Sequence, residues 1–73
     1  MPKRYSARQV LKALGLLGFT KISQKGSHIK LRGIISGKLQ TVIVPNHRVI
    51  AIGTLGSILK QANISKQDLE DNF

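Results

Sequence analysis

The stretch of this chain with the most chemical capacity runs Gly26-Ser27-His28, with Lys30 and Arg32 following at alternate positions. Imidazole gains and loses protons near neutral pH, which suits it to carry one in catalysis. A glycine allows a backbone or a phosphate to approach closely, and the Ser27 hydroxyl can donate to a phosphate oxygen. On an extended strand, His28, Lys30 and Arg32 share one side at intervals of about 7 Å. That spacing resembles the distance between successive phosphates of a nucleic-acid strand. One imidazole held between fixed cations could grip a phosphodiester and move a proton. The bland alternative is a turn followed by an ordinary exposed histidine. His47, two residues after Pro45 and next to Arg48, is a second proton carrier, a phosphate contact, or a histidine that simply bonds the backbone of its loop.

Charge supplies the context. The twelve Lys and Arg residues all precede Asp68, and the three acids are Asp68, Glu70 and Asp71. Globular surfaces normally mix both signs, so a body of one sign and a net charge of +9 point to a polyanionic partner. Lys25, Lys30, Arg32, Lys38 and Arg48 are the candidates for a continuous basic surface. No Ser-His-Asp triad is available, because the acids cluster at the C-terminal end. The chain has no cysteine, and two histidines with three clustered acids are too few for a protein metal site, so no metal or other cofactor is expected. No apolar run follows Met1-Pro2-Lys3-Arg4 as a signal peptide would require, and none reaches the length of a membrane span. The expectation is a cytoplasmic protein. Three aromatic residues are few for a platform that stacks single-stranded bases.

The elements that must position these residues read as a single domain over 1–73. Ser6 with Gln9 forms a capping box ahead of Val10, Leu11, Leu14 and Leu17 at helical spacing, with Gly18 as terminator. Phe19 to Gln24 reads as a strand and Lys25-Gly26 as a turn. Ser27 to Arg32 alternates, Ile29 and Leu31 pointing opposite to His28, Lys30 and Arg32. Gly33 to Lys38 suits a hairpin loop, and Leu39 to Val44 a third strand ending at Pro45. A second helix follows on Leu55, Ile58, Leu59 and Ala62, with Thr54 as its N-cap and Asn63 as its left-handed terminator. Ser65 with Asp68 caps a last helical turn. The spacing predicts an α+β fold in the order α-β-β-β-α: a three-stranded antiparallel meander with helices on one face and the other face open. Gly53-Thr54-Leu55-Gly56 matches the short GxxG backbone clamp, but it reads better as a helix start.

Three blocks then coincide: Gly26-Ser27-His28, Val44-Pro45-Asn46-His47, and Gly53-Thr54-Leu55 running on to Ser57-Ile58-Leu59-Lys60-Gln61-Ala62. In this order and spacing the chain resembles the HicA family of bacterial toxins, small mRNA interferases, over nearly its whole length. Asn63 stands where that family often has glycine. The resemblance implies a double-stranded-RNA-binding-domain-like fold, RNA cleavage without a metal, a catalytic histidine at His28, and a cognate HicB-type antitoxin. The RNA-binding set is then Lys25, Gly26, Ser27, Lys30, Arg32, His47 and Arg48 around His28. Two rivals remain: a non-catalytic RNA-binding module on the same scaffold, and an adaptor whose cationic surface takes an acidic protein.

Overall fold

The computed structural model describes residues 4–73. The basic start read above at Met1, Pro2 and Lys3 therefore lies outside the described residues. The order is α1 (Ala7–Leu16), β1 (Thr20–Lys25), β2 (His28–Ile35), β3 (Lys38–Pro45), α2 (Ile52–Ala62) and α3 (Lys66–Glu70). The strands form an antiparallel sheet in the order β1-β2-β3.

Most boundaries have a local cause. The Ser6 hydroxyl accepts the Gln9 N–H at 3.1 Å and the Gln9 side chain accepts the Ser6 N–H at 3.0 Å, so two unpaired donors at the start of α1 are satisfied together. Gly18, at φ +106, turns the chain out of α1, and the Phe19 N–H returns to the Leu14 carbonyl at 2.9 Å. Phe19 is buried ahead of β1 rather than belonging to it. The loop expected from Gly33 to Lys38 shrinks to Ser36-Gly37, because both residues take positive φ, +52 and +78. Two left-handed residues in succession match the right-handed twist of the flanking strands, which lets the ladder run to its last pair. Gly33 is instead a buried strand residue, and a Cβ there would lie 2.9 Å from the Phe19 ring.

One helix start departs from expectation. The N-cap of α2 is Ala51, not Thr54, and no side chain caps it. Ile50 pairs with Tyr5 in an isolated bridge, its N–H donating to the Tyr5 carbonyl at 2.7 Å. That tertiary tie sets where the chain turns upward and overrides the local cap signal. Gly53 and Gly56 consequently lie within α2, not in a clamp loop. The helix ends as read, with Asn63 left-handed at φ +58 and the Ile64 N–H returning to the Leu59 carbonyl at 3.1 Å.

The core collects Val10, Ala13 and Leu14 of α1, Ile29 and Leu31 of β2, Val42 and Val44 of β3, Ile58 and Ala62 of α2, and Leu69 of α3. Strand alternation therefore turns one face of β2 and β3 onto the helices and leaves the opposite face bare. The edge strand β1 is exposed along its whole length, so the helical layer covers β2 and β3 rather than the full sheet. A bulge at Ile22, between Lys21 and Ser23, interrupts the β1–β2 register and raises the local twist. Among the described residues, no helix is long and apolar enough to cross a membrane.

Candidate functional site

The register assembles the open face in ranks. Lys25, His28 and Pro45 stand across the sheet from one another, and Ser23, Lys30 and Ile43 form the next rank. Thr20, Arg32 and Thr41 follow, then Ile34 beside Leu39. Directly opposed side chains on one face lie about 5 Å apart at Cβ, so Lys25 adjoins His28, and Lys30 follows His28 two residues along the same face of β2, about 7 Å away. Ser23, Lys25, His28, Lys30 and Ile43 line a shallow cleft of ≈ 500 Å³. Arg32 continues the cationic row one rank away.

A second recess begins at the same histidine. A groove of ≈ 400 Å³ runs between β3, the loop after it and α2, with His28 and Ile43 forming the boundary it shares with the cationic cleft. His47 lines this groove too, so both histidines of the chain border one space. Thr54, Ser57 and Gln61 contribute the helical wall. The Gln61 Oε1 accepts the Ile43 N–H of the β3 edge at 2.9 Å, which braces helix against strand.

Backbone bonds fix the two loops. Gly26 takes φ +59, and nothing lies within 4 Å of a Cβ added there. Its requirement is thus the left-handed backbone and not space. The Gln24 Nε2 donates to the Gly26 carbonyl at 3.0 Å. The Asn46 N–H donates to the Ser27 carbonyl at 2.6 Å, tying the first turn to the His47 loop. That loop is held from below, where the Ala7 N–H donates to the His47 carbonyl at 3.0 Å. Its imidazole stays exposed on the groove, so the backbone bonds of His47 leave its ring available.

Of the residues read from sequence, Lys25, His28 and Lys30 converge in one cleft, Gly26 and Ser27 form its turn, and His47 lies across the groove. Arg48 is exposed on the loop but lines neither recess. Lys38 pairs with Ile35 at the far end of the ladder and shares that residue's face, so it does not join the row of His28, Lys30 and Arg32. Ser23 and Ile43 were not singled out from sequence, and Thr54, Ser57 and Gln61 figured there only as residues of the second helix, not as the wall of a site. The wall had a legible signal: Thr54, Ser57 and Gln61 recur at helical spacing beside the apolar stripe of Leu55, Ile58 and Ala62. The acids sit at the other side. Asp68 and Glu70 belong to α3, which packs against α1, and Glu70 accepts a hydrogen bond from the Tyr5 hydroxyl.

No curated protein matches the chain. A family model described as the HicA toxin of bacterial toxin–antitoxin systems matches residues 7–64, a span that holds every residue of the cleft and the groove. With its expected fold in place and most of its length matched, the chain belongs to the HicA toxins, which act as one half of a toxin–antitoxin pair.

Proposed function

We propose that this toxin is an mRNA interferase, an endoribonuclease that uses His28 as general base. The observation that carries the reading is the place of His28 at the boundary of a cationic cleft and a neutral groove on the open sheet face. Its imidazole takes the proton of a ribose 2′-OH, and the freed oxygen attacks the adjacent phosphorus. The bond to the 5′-oxygen then breaks, leaving a 2′,3′-cyclic phosphate and a 5′-OH end. Lys25 and Lys30 hold the non-bridging oxygens and offset the charge that builds on them, an effect often worth several kcal/mol. Gly26 and Ser27 shape the turn that meets the phosphate, and Arg32 engages the next one along the strand. His47 and Arg48 contact RNA on the loop side. The 5′-oxygen takes its proton from His47, a lysine or water. The route requires no metal ion.

The test is incubation of the purified protein with RNA, with and without EDTA, beside His28→Ala. Cleavage that survives EDTA, yields cyclic phosphate ends and disappears in the variant is the expected result. Intact RNA that is nevertheless bound would favour the non-catalytic module. The antitoxin of this pair, in the same reading, is of the HicB type and presents an acidic surface to His28, Lys30 and Arg32. It thereby blocks substrate by bulk and by charge. Hydrogen exchange on the complex checks this, and protection confined to α1 with the sheet face open rules it out.

A further inference from the structure

Resting on the ribonuclease reading, we infer that the groove beside His28 holds the nucleobase flanking the scissile phosphate, and that Gln61 reads it. The two recesses differ in chemistry although they share His28 and Ile43. The cleft carries Lys25 and Lys30, whereas among the described residues no Lys, Arg, Asp or Glu lines the groove. A strand laid across His28 therefore puts its phosphate on the ammonium groups and its uncharged part on the other side. The groove has the makings of a base site: an apolar floor at Ile43, Pro45 and Ile50, and polar groups along one wall. Its volume, ≈ 400 Å³, falls in the range of small-molecule pockets. The imidazoles of His28 and His47 supply flat faces, the kind on which unpaired RNA bases stack.

Gln61 is the group in this wall whose orientation is set. The Ile43 N–H needs an acceptor, so it fixes the carboxamide with Oε1 toward the strand and leaves the Nε2 hydrogens as the free donors. The hydroxyls of Thr54 and Ser57 rotate and can donate or accept, so they tolerate any base. A fixed donor discriminates, because a base that presents an amino group toward it loses a bond and gains a repulsion.

The test uses short RNAs with one cleavable position, the flanking base varied through all four, and the intact protein. Gln61→Glu keeps an oxygen for the Ile43 N–H and replaces the donors with an acceptor. Its added charge slows all substrates alike, so the ratio between bases isolates the reading. The expected result is a shift of about tenfold in that ratio toward adenine and cytosine, which present an amino donor at the position where guanine and uracil present a carbonyl. Gln61→Ala should flatten the preference. An abasic nucleotide at the flanking position should lower cutting by the wild-type protein about tenfold, which needs no variant to fold. Wild-type base ratios in both variants, or an abasic substrate cut at the full rate, overturn the role of Gln61 while leaving the nuclease standing. No cleavage by the wild-type protein overturns the nuclease reading, and this inference with it.

Discussion

The β2–β3 ladder has two ends built from the same backbone pairing, and they are fastened in opposite ways. At the His28 end, the Gly26–Ser27 turn is bonded to Asn46, the following loop to Ala7, and Ile50 to Tyr5. At the other end, Ser36-Gly37 closes the hairpin on backbone conformation alone. Among the described residues, no hydrogen bond from outside the ladder reaches that turn. Their surfaces differ as well. Lys25 and Lys30 flank His28, whereas the last open-face pair is Ile34 beside Leu39, 60% and 62% exposed. The Ile50 bond sets where α2 begins, and together the bonds at this end tie both loops to the same corner of the molecule. What they hold still is the set of side chains around one imidazole.

The largest effect should come from the fastened end. General base catalysis contributes about 10²–10⁴-fold, so His28→Ala should lose RNA cleavage by that order. Because the side chain is exposed, the variant's unfolding free energy should stay within about 0.5 kcal/mol of wild type. A folded His28→Ala protein that cuts at the wild-type rate would end the assignment.

Gly33→Ala comes next, and it acts on stability. Its Cβ would meet the Phe19 ring at 2.9 Å, inside a packed region with no flexible side-chain end to give way. Overpacking of this kind costs about 1–3 kcal/mol, readable as a lower denaturant midpoint. The two turns then give a sharper contrast. Gly26 and Gly37 both sit at positive φ, +59 and +78, and alanine at either should cost about 1 kcal/mol. Only Gly26→Ala should also depress cleavage, because only that turn carries His28. Equal loss of activity from both variants would mean that the ends are not functionally distinct.

Sequence gave up the strands and the open row readily, because period-two alternation in Ile29-Lys30-Leu31-Arg32 reports a face directly. The caps at Ser6, Ser65 and Asn63 were equally legible, since each acts on its own neighbours. What escaped was decided across the chain. The start of α2 follows from Ile50 pairing with Tyr5, forty-odd residues away in sequence, and no local signal at Ala51 announces it. Lys38 looked like part of the basic surface until the short Ser36-Gly37 turn fixed the register and put it on the other face. The groove is tertiary throughout, because its walls belong to β3, a loop and α2. The spacing of Thr54, Ser57 and Gln61 marked a polar helical stripe, yet only packing showed what that stripe faces.

A smaller effect separates the two faces of the sheet. Each phosphate contact removed should lower the slope of log affinity against log salt by about 0.7 for a single strand. Lys30→Ala should show that drop in RNA binding, and Lys38→Ala, on the opposite face at the far end, should keep the wild-type slope. If both lower it equally, binding is spread over the whole polycation and the open row has no special part.

The smallest effect lies beneath the fastened end, at Tyr5. Its hydroxyl donates to Glu70, its ring tilts against Phe73 at 4.7 Å, and its backbone carbonyl holds Ile50. The hydrogen bond to Glu70, then burial, then the charge of Glu70 raise the Tyr5 phenol above its ordinary value of 10.0. The folded protein therefore keeps this proton at a pH where the unfolded chain has released it. The associated stability is fully present below about pH 10 and is lost as pH climbs through the raised value. Urea midpoints followed from pH 8 upward should fall more steeply in wild type than in Tyr5→Phe, and the difference removes the contribution of the lysines, which titrate in both. Cleavage by Tyr5→Phe at neutral pH should match wild type, because the bond that fastens the groove comes from the Tyr5 backbone, which the substitution leaves in place. A cleavage defect in Tyr5→Phe at unchanged stability would show that the phenol itself, and not the backbone tie, positions the loop beside His28.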